Sequence, residues 1–253
     1  MSVVCMMTGQ ADGLFQRAIL QSTPLGMPQE IPKEASKKVS AFVKSRLQSN
    51  PYMASTDEML KLQTQALIES RRLGMARAFW PRFGEYPLPE VSDLEQMVTK
   101  KAGTIPILIG WMEDEATAFL PMIDYYAYYV KMPFIGRVFR TIFNWSYSGS
   151  IFIWPSQRLS NAYRQAGGFS STLCFRFRPQ GSTLGATHCL DLPYLFGYPV
   201  NWKHAPMVQG RDNLEIIQRV GEDVKNLWAS FISGDPLKSS HYDVAHDFSS
   251  RRL

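Results

Sequence analysis

The sequence is poor in cysteine, with only three among its 253 residues. Cys5, Cys174 and Cys189 are odd in number and unrelated in spacing, which excludes a disulfide framework and a four-cysteine metal site. Cys5 and Cys174 lie in apolar runs, which predicts two buried thiols. His241 and His246 have no third ligand at a telling spacing, so we interpret them as part of a polar surface tail. We therefore expect no metal site.

Long apolar runs are also missing. No stretch reaches about 18 consecutive apolar residues, because the aromatic-rich segment 133–154 is interrupted by Arg137, Arg140 and Asn144. This predicts a chain without a transmembrane segment. Residues 1–10 lack the basic start and apolar block of a secretion signal. The sequence does not predict the localisation, because we expect these 253 residues to lack the beginning of a longer parent protein.

Charge of one sign is not concentrated anywhere. There are 27 Lys and Arg against 22 Asp and Glu, which gives a net charge of +5. The basic residues occur in short pairs such as Lys37-Lys38 and Arg71-Arg72, which is typical of solvated helix faces and argues against a nucleic-acid-binding surface. A hydrophobic content of 45% is that of a globular protein. The length fits one domain over residues 1–253, or a large piece of a bigger one.

Short apolar segments predict three strands, at residues 17–22, 105–110 and 172–178. The last of these alternates, with Leu173, Phe175 and Phe177 on one face. Between and around the strands lie helical patterns. These are residues 2–8, a helix from Pro32 with Ile31, Ala35 and Val39 on one face, a helix capped by Ser55 and Glu58, and Leu214 to Phe231, ending at Gly234-Asp235-Pro236.

Strands that alternate with helices predict an α/β fold with a mainly parallel sheet covered on both sides. The three strands should be neighbours in that sheet. The segment 116–166 is rich in aromatic residues, including Tyr125, Tyr126, Tyr128, Tyr129, Trp145 and Trp154. We interpret it as a cap of irregular helices and loops.

A histidine and an acid each follow a predicted strand. His188 lies in the small-residue loop Gly185-Ala186-Thr187-His188, and Glu115 follows Asp114 after the strand at 105–110. The carboxyl ends of parallel strands lie along one edge of a sheet, so the two side chains can meet there. The order acid, then histidine, is that of α/β-hydrolases. Spacing alone leaves two alternatives open: an ordinary loop histidine with a surface acid, or Asp191 as the acid.

Four segments together resemble the type B carboxylesterase and cholinesterase family. They are residues 14–22, residues 106–119, the His188 loop through Gly197, and residues 228–236. In that family the glutamate of the Asp-Glu pair is the triad acid and the histidine of the Gly-Ala-x-His loop is the base. The resemblance thus implies an α/β-hydrolase fold, with Glu115 as triad acid and His188 as general base.

The resemblance also implies the chemistry. It is that of a serine carboxylesterase that cleaves a small to medium apolar ester through an acyl-enzyme, without a metal or an organic cofactor. In family members a serine at the position of Ser22 often hydrogen-bonds the acid, which gives Ser22 a supporting role. Ala116 and Thr23 depart from the family, which commonly has glycine at both positions. The second departure bears on how Ser22 approaches Glu115.

The family's nucleophile elbow, Gly-x-Ser-x-Gly, does not occur in the sequence. The segment Gly181-Ser182-Thr183-Leu184-Gly185 has Thr183 at the central position but lies in the histidine loop, and we do not expect it to supply the nucleophile. In the family the elbow would come just before residues 1–7, and the oxyanion-hole glycines earlier still. We therefore expect the C-terminal part of one hydrolase domain, inactive by itself. The alternative is a non-catalytic carboxylesterase-like interaction protein or an inactive remnant.

Overall fold

The computed structural model describes residues 2–9, 11–27, 33–47, 50, 52–75, 78–122, 132 and 135–251. Contacts divide the chain into two compact units. One comprises Met1–Met27 with Glu95–Leu253, and the other comprises Pro28–Leu94. The assignment of the whole chain to one domain stays a prediction.

The larger unit is built on a five-stranded sheet with the strands in sequence order. The strands are β1 (Ala18–Gln21), β2 (Ile107–Met112), β3 (Ser170–Phe175), β4 (His241–Val244) and β5 (Phe248–Arg251). Strands β1 to β4 run parallel, and β5 pairs antiparallel with β4. The three strands predicted from the sequence are therefore neighbours, as expected.

Strand β3 begins earlier than the sequence predicts and is buried at every position. The sequence predicted a strand from residue 172 only, because polar residues such as Ser170 and Ser171 rarely begin a buried strand. Here their hydroxyls are satisfied within the fold. Ser170 Oγ lies 2.8 Å from Ser160 Oγ, and Ser171 Oγ donates to Ser239 O over 3.1 Å. With β2 equally buried, both central strands are covered on their two faces.

The interpretation of His241 as part of a surface tail is wrong, whereas His246 is exposed between β4 and β5. His241 begins β4, in which Tyr242 and Val244 are buried. The imidazole of His241 lies 2.7 Å from Thr172 Oγ1 on the neighbouring strand. A histidine with a hydrogen-bond partner can enter a sheet, and this is why a polar segment forms an inner strand. Among the described residues, no group of His, Cys, Asp and Glu could hold a metal ion.

The helices, in chain order, are α1 (Ser2–Thr8), α2 (Lys33–Arg46), α3 (Thr56–Arg72), α4 (Leu94–Thr99), α5 (Ile135–Tyr147), α6 (Trp154–Gln165), α7 (Asp191–Leu195), α8 (Pro199–Trp202) and α9 (Asn213–Ser233). Short 3-10 turns occupy Val91–Asp93, Glu115–Met122 and Pro206–Val208, and a π-helical turn occupies Ser148–Ile153. Within the described ranges, none of the helices is long and apolar enough to cross a membrane.

The predicted helices agree with these bounds where they are described. Ser55 caps α3, with its Oγ accepting the Glu58 N–H over 3.2 Å. Helix α9 ends at Ser233 and is capped by Gly234, whose φ of 88° places it in the left-handed region that glycine favours. Pro32 and Ile31 lie outside the described residues. In the smaller unit, α2 and α3 pack around Val39 and Ala66.

The segment 116–166 is more regular than the sequence predicts. Helix α5 leads through the π-helical turn directly into α6, so that residues 135–165 are helical throughout. The sequence pattern hid this because the turn Ser148-Gly149-Ser150 is typical of a loop. Tyr125, Tyr126, Tyr128 and Tyr129 lie outside the described residues. Of the cysteines predicted to be buried, Cys174 is buried and Cys5 only partly so.

Candidate active site

Glu115 lies just beyond the carboxyl end of β2, at the start of a 3-10 turn, and is completely buried. Its two carboxylate oxygens have separate partners. Oε1 accepts the N–H of Met112, the last residue of β2, over 2.8 Å. Oε2 lies 2.6 Å from Nδ1 of His188. The strand end thus fixes one oxygen and leaves the other directed at the imidazole.

His188 lies in the loop between β3 and α7, and the structure brings it to Glu115 as the strand-end argument predicts. When the imidazole is neutral and donates to the Glu115 carboxylate, its proton lies on Nδ1 and Nε2 keeps a free lone pair. Phe119 and Phe152 flank the imidazole, with ring centroids 5.4 and 5.7 Å away. Across the described residues, Nε2 forms no hydrogen bond, and the side chain is 28% exposed. The arrangement suits an imidazole that accepts a proton at Nε2.

The pKa of His188 is raised above its ordinary value of 6.5. Burial by itself lowers this pKa, since it disfavours the imidazolium. The hydrogen bond and charge of Glu115, with a further contribution from Asp191, outweigh that effect. His188 should therefore hold its proton to a higher pH than an exposed histidine and become a free base only above that point.

Asp191, the rival for the acid, does not occupy the position of Glu115. It begins helix α7 and is almost completely buried. Burial first, and then the charge of Glu115, raise its pKa to about 6. Nδ1 of His188 is paired with Glu115, and no hydrogen bond joins Asp191 to the imidazole in the described part of the chain. Asp191 acts on His188 only through its charge.

We expect the Asp191→Asn variant to shift the pH dependence of catalysis without abolishing it. Removing the Asp191 charge removes one cause of the raised His188 pKa, so that pKa should fall. His188 would then be deprotonated at lower pH, and the acidic limb of kcat/KM should move to lower pH. The profile is measured with a nitrophenyl ester in a protein that joins this chain to a segment carrying the serine, since the chain by itself is expected to be inactive. The window is about pH 5 to 9, which brackets ordinary histidine pKa values. A limb that moves to higher pH, or activity lost at every pH, would contradict this assignment.

Ser22 does not join the pair. Its Oγ is buried and has no hydrogen-bond partner within the described residues. Both oxygens of Glu115 are already engaged, by Met112 and His188. Directly after β1, Ser22 has a φ of 48°, in the left-handed region, and Thr23 beside it is buried. The hydrogen bond to the acid that the resemblance implies for Ser22 is therefore not formed.

Thr183 is not brought to the imidazole either. Its carbonyl oxygen accepts from Arg140 Nη1 over 2.7 Å, and the neighbouring Ser182 Oγ accepts the Leu184 N–H. Both residues line a cavity of about 530 Å³ beside Asp114, which neither Glu115 nor His188 lines. This agrees with the expectation that Thr183 is not the nucleophile.

The residues that join the turn carrying Glu115 to the loop carrying His188 were not predicted from the sequence. Asp114 and Arg178 form a hydrogen-bonded ion pair, and Asn144 bonds the same carboxylate. The only signal in the sequence was a second acid next to Glu115. Nothing in the spacing connects position 114 with positions 144 and 178.

No protein-family model matches the chain. It is 29% identical over 237 residues to a probable N-octanoylanthranilate hydrolase of Rhodococcus erythropolis, covering 91% of this chain and 51% of that protein. It is 24% identical over 255 residues to a phenmedipham hydrolase of Pseudarthrobacter oxydans, covering 88% of this chain and 50% of that protein. The chain therefore spans about half the length of the curated relatives it matches.

Solved carboxylesterases have the same architecture. A PNB esterase superimposes with a TM-score of 0.61 at 17% identity, over 98% of this chain and 57% of that one. The Geobacillus stearothermophilus carboxylesterase EST55, in its structure at pH 6.8, gives a TM-score of 0.64 at 17% identity, over 98% and 58%. The chain has the α/β-hydrolase fold. The hydrolase relatives and the esterase neighbours agree with the family resemblance seen in the sequence.

Proposed function

We propose that this chain supplies the acid and the base of a serine carboxylesterase of the type B carboxylesterase and cholinesterase kind, as its C-terminal portion. The observation that carries the proposal is the 2.6 Å hydrogen bond between Glu115 Oε2 and His188 Nδ1 at the carboxyl edge of a parallel sheet. This is the acid and histidine arrangement by which α/β-hydrolases activate a serine. The hydrolase relatives support the same class of reaction.

In the proposed reaction His188 moves the protons. Nε2 takes the proton of a serine hydroxyl while the serine oxygen attacks the ester carbonyl carbon, and the buried carboxylate of Glu115 stabilises the imidazolium that forms. The imidazolium then protonates the departing alkoxide, which leaves an acyl-enzyme. Water attacks the acyl carbon as His188 takes its proton, and return of that proton to the serine oxygen releases the acid.

The nucleophile is proposed to be the serine of a Gly-x-Ser-x-Gly element outside these 253 residues. Two observations support this. No such element occurs in the sequence. In the described ranges, no serine or threonine hydroxyl is hydrogen-bonded to His188, whose only such partner is Glu115.

The substrate class is proposed to be a small to medium apolar ester. The rings of Phe119 and Phe152 beside the imidazole support this, since apolar walls favour an apolar group near the proton-transfer site. The relatives are named for the hydrolysis of N-octanoylanthranilate and of phenmedipham. Both compounds belong in a substrate panel beside short-chain nitrophenyl esters.

The first experiment assays the purified chain alone. We expect it to hydrolyse a nitrophenyl ester no faster than an unrelated control protein. The serine and the oxyanion hole, which are proposed to lie outside these residues, are the main sources of transition-state stabilisation. A serine-directed organophosphate probe should label no residue. The His188→Ala variant of the same chain is the matched control. Covalent labelling together with turnover that the control lacks would place the nucleophile within these 253 residues.

The second experiment separates the esterase from a non-catalytic carboxylesterase-like protein. It reads the codons immediately before Met1 and expresses any segment that continues the frame together with this chain. An in-frame Gly-x-Ser-x-Gly element and ester hydrolysis by the joined protein would support the proposal. A joined protein that lacks the element and hydrolyses no ester would support the interaction protein instead.

A further inference from the structure

We propose that Asp114 is a positioning residue that locks the histidine loop onto the turn carrying Glu115, and so sets the hydrogen bond between Glu115 and His188. The inference rests on the proposed function, because it deepens the account of the same site. It assigns Asp114 no contact with substrate. Glu115 and His188 belong to different loops, and Asp114 holds the two loops in the relative position that the hydrogen bond between them requires.

The first part of the lock is a reciprocal pair between Asp114 and Ala186. The backbone N–H of Asp114 donates to the Ala186 carbonyl over 2.8 Å, and the Ala186 N–H donates back to Asp114 Oδ2 over 2.9 Å. Asp114 directly precedes Glu115, and Ala186 lies just before Thr187 and His188. Both ends are buried. The pair therefore joins the acid turn to the histidine loop next to the two reacting side chains.

Gly185 shows how closely the two loops approach. Its φ is +68°, and a Cβ built at this position would lie 2.4 Å from Asp114 Oδ2. A side chain here would displace the carboxylate from the Ala186 N–H. The small residues of the histidine loop thus permit the contact.

The second part is the guanidinium of Arg178. Its Nε donates to Asp114 Oδ2 over 2.7 Å, and its Nη2 donates to Asp114 Oδ1 over 3.0 Å. Two parallel charge-assisted hydrogen bonds fix orientation as well as distance. Arg178 follows β3 at the point where the histidine loop begins. The same carboxylate therefore holds the loop at its start and again beside His188.

The third part reaches from the helical segment to the other side of Glu115. Asn144 Nδ2 donates to Asp114 Oδ1 over 2.6 Å, and Ser148 Oγ donates to Asn144 Oδ1 over 2.6 Å. Ser148 Oγ in turn accepts the N–H of Ala116 over 2.9 Å. Asp114 and Ala116, which flank Glu115, are thus tied through one chain of hydrogen bonds. The backbone on both sides of the acid is restrained.

The His188 imidazole offers a readout that separates position from charge. The groups that raise its pKa are Glu115 and Asp191, and Asp114 is not among them. The variants Asp114→Ala and Asp114→Asn remove the same charge, but only asparagine keeps an oxygen that can accept the Ala186 N–H. A His188 pKa that falls further in Asp114→Ala than in Asp114→Asn would therefore report a weakened contact between His188 and Glu115.

The experiment follows the His188 ring by NMR in the full 253-residue chain labelled with ¹⁵N, in wild type and in the variants Asp114→Ala, Asp114→Asn and Glu115→Gln. Wild type should show a hydrogen-bonded Nδ1 proton at low field and a His188 pKa above 6.5. Asp114→Ala should lose the low-field signal and lower the pKa of His188, as Glu115→Gln does. Asp114→Asn should retain more of both, because its remaining oxygen can still accept the Ala186 N–H.

The matched control is Arg176→Gln. Arg176 is the neighbouring guanidinium, paired with Asp243 and Glu113 but not with Asp114. We expect it to lower the melting temperature while leaving the low-field signal and the His188 pKa unchanged. If Asp114→Ala does not fold, Asp114→Asn and Arg178→Gln decide the question by the same two readouts.

The result that overturns the inference is a folded Asp114→Ala protein with the wild-type signal and the wild-type His188 pKa. An equal loss of both in Arg176→Gln would also overturn it, since the effect would then follow general destabilisation. Neither readout needs ester hydrolysis. The positioning role and the proposed function can thus fail independently of each other.

Discussion

Replacing His188 with alanine is expected to lower kcat for ester hydrolysis by roughly 10⁴- to 10⁶-fold in the esterase that we propose contains this chain. The reason is that Nε2 is the group proposed both to take the serine proton and to protonate the leaving alkoxide, and alanine can do neither. The KM should change little, because the imidazole contributes to the transition state more than to substrate binding. The measurement is steady-state kinetics with a nitrophenyl ester.

The control for His188→Ala is His204→Ala. His204 is exposed and belongs to neither catalytic loop, so this variant should keep full activity. Both proteins should unfold in one cooperative transition, which shows that the loss is not one of folding. A His188→Ala enzyme within about tenfold of wild type would be incompatible with a role worth several kcal/mol in transition-state stabilisation.

The second large effect is expected for Glu115→Gln, with kcat lowered by about 10⁴-fold. Glutamine is nearly isosteric, and its oxygen can still accept the Met112 N–H that Glu115 Oε1 accepts now. Its amide nitrogen would then face His188 Nδ1 and donate to it. The imidazole proton would move to Nε2, and a protonated Nε2 cannot accept the proton of a serine. The change thus acts on the tautomer and not on the volume of the site.

The pH dependence gives a second readout for Glu115→Gln. Without the carboxylate, the chief cause of the raised His188 pKa is gone while burial still lowers it, so the acidic limb of the residual activity should move to lower pH. The comparison is Asp191→Asn, which should shift the limb but keep kcat. Wild-type activity in Glu115→Gln, together with severe loss in Asp191→Asn, would assign the role of acid to Asp191.

The sequence predicted the central strands and the meeting of Glu115 with His188 because both follow from simple rules. Residues 105–110 are apolar on both faces, as a central parallel strand requires. The carboxyl ends of parallel strands share one edge, so residues that follow two such strands come together. The 2.6 Å contact between Glu115 and His188 is the consequence.

Other features depended on partners that a linear pattern does not reveal. Strand β4 contains His241 and Asp243, and these enter the sheet because Thr172 and Arg176 bond them. Ser22 comes at the expected place after β1, but its backbone is left-handed and its buried Oγ has no hydrogen-bond partner among the described residues. The Asp114 contacts join three segments far apart in the chain, and only the folded chain shows that they meet.

The role of His188 as the base is measured most directly by the rate at which a serine-directed organophosphate labels the joined esterase, in wild type and in His188→Ala. We expect one serine to be labelled in wild type, at a rate that rises with pH as His188 loses its proton, and negligible labelling in the variant. Labelling of the same serine at the wild-type rate in His188→Ala would show that His188 is not the base that activates it.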